Sequence, residues 1–481
     1  MSDHLPNILW YCTDQQRFDT IGALGNTHAR TPALDQLVSD GVAFTRAYCQ
    51  HPICTPSRAS FMTGRYPSAV HVNYNGNDYF PKEAEATLVS RLLAEAGYDC
   101  GLVGKLHLAG SKNGRESRAD DGFRYFQWNH TSVNPQSPDQ DDYADWLSKK
   151  GLDPAEVVRL PHRKMDCVMA PTPERDNVPP DLHQTTWCTE KALEFIGQAQ
   201  APWMLCVNVF YPHKPFNPPW EYFRRFDPAA MPLPHFCESD IAHQDRLAEM
   251  GVRFQTRSLP PDERNARALY AAYCAMVALV DDQFGRILSF LDETAQRENT
   301  VVLFTSDHGE MLGDHGLVLK GCRFYEGGVH VPLIWSWPER FRCGMRSPAL
   351  VELIDIAPTL LDLAGLPIPE RMQGKSLLPI LTGQAEPDKH REFVRSEYFD
   401  HRPSSPVHAT MYRDDRWKIV AYHSAEHDDL GELYDLENDP WEFTDLWHNP
   451  EYRDLKLQLL KKNFDARVLS MDPGPPQTMS F

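Results

Sequence analysis

Two short polar pairs stand where a chain can offer ligands to a metal ion. Asp14-Gln15 follows the apolar run Asn7-Ile8-Leu9-Trp10-Tyr11-Cys12-Thr13, and Asp307-His308 follows Thr300-Val301-Val302-Leu303-Phe304-Thr305-Ser306. A hard cation that polarises an anionic ester needs oxygen ligands from rigid elements, which carboxylates at two strand ends supply. A third run, Met204 to Phe210, ends in Tyr211-Pro212-His213-Lys214. Between them lie Cys54-Thr55-Pro56-Ser57-Arg58-Ala59-Ser60-Phe61-Met62-Thr63-Gly64-Arg65, then Gly104-Lys105-Leu106-His107, and later Lys320 ahead of Tyr325-Glu326. Each has a plainer reading alone: a loop carboxylate, a buried thiol, a surface lysine, a satisfied core histidine. Two carboxylate pairs on two such strands, beside the cysteine stretch, reverse that preference.

The elements that must position these groups follow from hydrophobic pattern. Apolar runs without polar alternation read as strands covered on both faces, with functional groups at their C-terminal edge. Helical spacing covers Leu88 to Ala96 (stopped by Gly97), Ala266 to Leu291, and Leu353 to Leu363. Strands alternating with helices predict an α/β fold with a mostly parallel sheet flanked by helices. Residues 109–180, rich in Asp, Arg, Asn, Ser and Pro, read as an irregular insertion over the site. After about residue 385 the pattern changes. Arg416–Tyr422 and Gly431–Leu436 read as strands of a hairpin or meander, followed by a helix from Glu451 to Arg467 and a Pro/Gly-rich tail. The expected division is a catalytic domain over 1–385 and a smaller C-terminal α+β subdomain over 386–481.

Composition narrows the partners. The 481 residues are 42% hydrophobic and 24% charged, ordinary values for a folded domain. A net charge of −19 without a Lys/Arg run argues against nucleic acid or an anionic membrane surface. A site for an anionic substrate must therefore gather its own positive charge. The start of the chain shows no basic, apolar leader, and no stretch approaches the roughly 18 apolar residues of a membrane span, so a cytoplasmic protein is expected. Eleven cysteines at irregular spacing, with no CxxC pair, suit reduced and mostly buried thiols.

The Cys54–Arg65 stretch resembles the signature of the formylglycine-dependent sulfatases, C-x-P-x-R followed by T-G-R, at every fixed position. The resemblance runs from Asn7 to about Asn449, including the structural segment Glu432–Pro440, and implies an alkaline-phosphatase-like fold. It implies that a formylglycine-generating enzyme oxidises Cys54 to an aldehyde whose hydrate attacks sulfur and then expels sulfate. It carries over Asp14, Gln15, Asp307 and His308 as ligands of one divalent metal beside residue 54. Arg58 would hold the metal-proximal diol, Lys105 would clamp the sulfate, Lys320 would clamp the sulfate or the leaving oxygen, His107 would be the base and His213 the acid. Asn75 is the expected substrate-facing asparagine, with His71 and Asn73 as equal candidates.

Two departures from the common sulfatase pattern bear on chemistry. Asp-Gln stands in place of Asp-Asp, and Asp-His in place of Asp-Asn. An amide and an imidazole soften the site and move the expected ion from Ca²⁺ toward Mn²⁺. The same pairs also resemble choline sulfatases and phosphonate monoester hydrolases. The Gly104-Lys105-Leu106-His107 segment favours sulfate esters, since the phosphonate hydrolases lack the Lys/His pair. The expected function is an arylsulfatase-type sulfuric ester hydrolase acting on a small-molecule sulfate ester, with phosphonate monoester or phosphodiester hydrolysis as the alternative. A homodimer or homotetramer is compatible with this expectation.

Overall fold

A computed structural model describes residues 5–111, 114–132, 136–158, 178–263, 265–401, 406–424 and 429–472. Part of the stretch at 109–180 and the Pro/Gly-rich tail lie outside these residues. The main sheet has nine strands. They are β1 (Asn7–Thr13), β2 (Val42–Tyr48), β3 (Asp99–Gly104), β4 (Tyr125–Trp128), β5 (Trp203–Asn208), β6 (Thr300–Ser306), β7 (His330–Val331), β8 (Leu333–Ser336) and β9 (Met345–Glu352). Their order is β4-β3-β5-β1-β6-β8-β2-β7, with β9 also paired to β2. The half from β4 to β6 is parallel throughout. β8 and β7 pair antiparallel with their neighbours, while β9 runs parallel to β2.

The missing polar alternation in β1 now has its cause. Ile8, Trp10 and Cys12 face one buried cluster, and Leu9 and Tyr11 face another on the opposite side of the sheet. The helices Ala266–Glu293 and Gln184–Gln198 cover the second side, and Ile356–Leu363 packs into the first. Tyr11 lies 5.1 Å from the ring of Phe284 and 5.7 Å from that of Phe304. Each such fully buried apolar side chain contributes about 1.5–3 kcal/mol.

Two expected elements differ in detail. The helix expected from Leu353 starts at Ile356, because Glu352 and Asp355 form a reciprocal capping box around a short turn at Leu353–Asp355. Within 109–180 the chain is partly regular: β4 extends the sheet beside β3, and a helix at Asp142–Lys149 begins where the Asp141 carboxylate accepts the Tyr143 and Ala144 N–H groups.

The C-terminal region forms a separate antiparallel sheet in sequential order, β10 (Val394–Asp400), β11 (Val407–Arg413), β12 (Trp417–His423) and β13 (Gly431–Asp435). The helix Arg453–Val468 packs Leu459 and Ala466 against Ile419 and Leu433 of that sheet. Among the described residues, no helix is long and apolar enough to cross a membrane.

Candidate active site

Because β1, β3, β5 and β6 run in one direction, their C-terminal ends open at one edge of the sheet. Asp14 leaves β1, Lys105 leaves β3 and Asp307 leaves β6 at that edge. The Lys105 N–H donates to the Asn208 carbonyl at 3.0 Å and the Asn208 amide donates back to the Lys105 carbonyl at 2.9 Å, which locks β3 and β5 at the rim. Gln15 takes a positive φ of 70°, turning the chain so that its backbone N–H donates to Asp307 Oδ1 at 3.0 Å. The two carboxylate segments are thereby tied together across β1 and β6.

Cys54 is the first residue of the buried helix Cys54–Thr63. The Asn75 side-chain oxygen accepts the Thr55 N–H at 3.0 Å, satisfying an otherwise unpaired donor of the first turn. Asn75 therefore holds the helix that carries Cys54. His71 is exposed and closes the short helix Pro67–Val70, whereas Asn73 Oδ1 is buried with no partner among the described residues.

Around Cys54 the expected groups converge. Its Sγ lies 2.8 Å from Lys320 Nζ, 3.2 Å from His308 Nε2 and 3.6 Å from Asp14 Oδ1. Arg58 Nε donates to Asp307 Oδ2 at 2.9 Å, and its Nη1 donates to the Lys105 carbonyl at 2.9 Å. Among the described residues Arg58 Nη2 is buried without a hydrogen-bond partner, 4.0 Å from Asp14. Lys105 Nζ donates to Asp14 Oδ2. Burial works against ionising Asp14, but Lys105, His213, Lys320 and Arg58 together hold its carboxyl well below the usual range. Burial and Asp14 push the Cys54 thiol up, yet Lys105, Lys320 and His308 outweigh them and leave it below its ordinary value.

Asp14, Cys54, Asp307 and His308 each present one ligand atom, all within 4.8 Å of one another. His308 Nδ1 lies 2.9 Å from the Gly309 carbonyl, which only accepts, so Nδ1 carries the proton and the Nε2 lone pair points into the cluster. Burial lowers the His308 pKa, but the charge of Asp307 raises it above its ordinary value, and that same charge favours a cation. Gln15 Nε2 donates to Glu310, leaving Gln15 Oε1 buried and unpartnered beside the cluster. An orphaned amide oxygen, two carboxylates and an oriented imidazole lone pair suit a divalent ion.

The flanking histidines differ. His107 has a positive φ of 57°, and Glu116 accepts its backbone N–H at 2.8 Å and that of Leu108 at 3.1 Å. Burial, then the Lys105 charge, hold the His107 imidazole well below its usual pKa, so the ring is neutral. His213 Nδ1 lies 2.7 Å from the Lys214 carbonyl, so that nitrogen is protonated. Burial, then Lys320, keep His213 neutral as well, so its Nε2 carries no proton to donate.

Glu310, Glu116 and His130 were not singled out in the sequence. Glu310 accepts from the Leu312 and Leu319 N–H groups and from Gln15, and so shapes the loop that delivers Lys320. Its closeness to His308 in the run Asp307-His308-Gly309-Glu310 was the available signal. The His130 ring sits edge-to-face with His107 at 4.4 Å, a contact no local pattern reveals.

Comparison with known proteins identifies the family. A family model described as Sulfatase matches residues 6–366, and one described as N-sulphoglucosamine sulphohydrolase, C-terminal, matches residues 313–468. An arylsulfatase of Clostridium perfringens is 29% identical, over 95% of this chain and 93% of its own. A choline-sulfatase of Rhizobium meliloti is 29% identical, over 94% and 84%. The solved phosphonate monoester hydrolase of Agrobacterium radiobacter superimposes with a TM-score of 0.78 at 26% identity, over 97% of this chain and 96% of that one.

Proposed function

The chain belongs to the sulfatase family and is a hydrolase of that family, and on that premise we propose that it hydrolyses sulfate monoesters with the oxidised side chain of residue 54 as nucleophile. The observation that carries the reading is the convergence of Lys105, Lys320 and Arg58 on Cys54 and Asp14 in a chain of net charge −19. That local charge matches the three non-bridging oxygens of a sulfuryl group. Conversion of Cys54 to formylglycine by a maturing enzyme in the cytosol supplies, on hydration, a hydroxyl nucleophile and a built-in release step. Asp14, Gln15, Asp307 and His308 would hold a divalent ion, which supplies Lewis-acid polarisation of a sulfuryl oxygen.

The protein's own groups do the rest. Arg58 Nη2, which makes no hydrogen bond among the described residues and lies 4.0 Å from Asp14, can hold the nucleophilic oxygen. Lys105 holds a non-bridging oxygen. Neutral His107 accepts the proton of the second hydroxyl when sulfate departs. The leaving oxygen needs a donor, and Lys320 is the better one, because His213 Nε2 gains a proton only when the charge of bound substrate draws one in.

Phosphate diester or phosphonate monoester hydrolysis is the second reading, favoured by the phosphonate monoester hydrolase superposition. The test is the ratio of kcat/KM for an aryl sulfate and an aryl phosphate diester, on matured enzyme that has been chelated and then reloaded with Mn²⁺ or Ca²⁺. We expect loss on chelation, restoration by Mn²⁺ at least as well as by Ca²⁺, and preference for the sulfate. Preference for the diester would make the second reading the better one.

A further inference from the structure

Lys214 is the cation beside the site that the reaction leaves unused. Arg58 is committed to Asp307, Lys105 to Asp14, and Lys320 to Cys54 and His308. Lys214 is half-buried, and among the described residues its ammonium makes no hydrogen bond or ion pair, although its carbonyl receives the His213 ring. The acid whose charge reaches it is Glu310, and both oxygens of that carboxylate are taken by Leu312, Leu319 and Gln15. Burial, then the charge of Lys320, make its protonated state costly. A chain with 67 acidic residues to 48 basic ones has counter-ions to spare, so an unpaired cation in this position is conspicuous. Its neighbour His213 feels the charges of Lys320, Asp14 and Lys105, and the charge of Lys320 reaches the Lys214 ammonium, so Lys214 stands at the border of the site beyond the groups gathered on Cys54.

We propose that Lys214 pairs with a second anionic group on the alcohol, so that the substrate class is the sulfate ester of an anionic alcohol or phenol. This rests on the sulfatase reading above. The bound anion supplies the partner that the protein withholds, and selectivity arises because a neutral alcohol leaves Lys214 unpaired in a half-closed site. The three cations around Cys54 cannot serve this purpose, being occupied by the reacting group.

The probes are 4-(carboxymethyl)phenyl sulfate and its methyl ester, in which a methylene separates the carboxyl group from the ring, so the same sulfate sits on leaving groups of similar strength. Matured wild type should prefer the carboxylate by about tenfold in kcat/KM, the effect of one well-placed ion pair. The preference should fall to near unity in Lys214→Gln and survive in Lys214→Arg. Because each ratio is taken on one protein sample, partial misfolding of a variant does not alter it. Equal turnover of both probes by wild type, or a preference that persists in Lys214→Gln, overturns the proposal while leaving the sulfatase reading intact. Turnover of neither probe by matured, metal-loaded wild type overturns both.

Discussion

Lys320 and Lys418 are both buried lysines surrounded by acidic and polar groups, and they are held in opposite ways. Lys418, on β12, is fully enclosed, with Glu326 Oε1 at 2.6 Å, Glu442 Oε1 at 2.7 Å and the Phe324 carbonyl at 2.9 Å. Two carboxylates at ion-pair distance and one carbonyl answer its charge, and these contacts join the C-terminal sheet to the segment just beyond Lys320. Lys320 instead meets a thiol and an imidazole lone pair at 2.8 and 3.1 Å, with Asp14 at 3.9 Å. Around it Gln15 Oε1 and Arg58 Nη2 are buried without hydrogen-bond partners among the described residues. Buried charge alone therefore does not mark a reactive centre. A closed network resists change, whereas a network with oriented, unfilled valences is prepared for a ligand.

Breaking each region should give opposite signatures. The largest effect is expected from Cys54→Ala, which should lower kcat/KM for an aryl sulfate by about 10⁴-fold or more while the melting temperature stays near wild type. Activity within tenfold of wild type would remove Cys54 from the chemistry. Lys418→Met should do the reverse. Leaving two buried carboxylates without their cation should cost about 3–5 kcal/mol in urea unfolding, while the folded fraction keeps kcat within a few-fold of wild type. A large loss of kcat with unchanged stability would mean that the two networks are not separable.

Lys105→Ala comes next, with an expected loss of about 10²-fold for an aryl sulfate, the usual loss for one charged transition-state contact. A phosphate diester should lose less, because an alkoxy group replaces one of the oxygens that Lys105 serves. The smallest effect is a pH dependence in the closed network. Burial, against the pull of Lys418, raises the Glu442 carboxyl to about 7, while Glu326 stays ionised. The folded protein then holds a proton that the unfolded chain has released, so stability should fall as pH rises from about 4.5 to 7 and level off above. Glu442→Gln should flatten that slope, as read from unfolding midpoints across the range.

The parts of this comparison that could be read from sequence were those written in adjacent residues. β1 and β6 end where their apolar runs end, because strands covered on both faces have no other signature. Asp14, Asp307 and His308 sit directly after them. The closed network was invisible, since Glu326, Lys418 and Glu442 come from three distant segments that meet only in the folded chain. Asn75 was noticed by its distance from Cys54, but its contact with the Thr55 N–H is a capping geometry that spacing does not encode. β4 was hidden because its parallel partner β3 is joined to it through a polar stretch that reads as irregular.

The account turns on the chemical state of residue 54. The most direct test is the mass of the peptide containing that residue, taken from protein made aerobically with a formylglycine-generating enzyme, alongside aryl sulfate turnover by the same sample. The account predicts loss of the sulfur and gain of an aldehyde oxygen, with turnover proportional to the converted fraction. A sample that stays a thiol throughout and still turns over the sulfate ester, or one fully converted that turns over none, would contradict it.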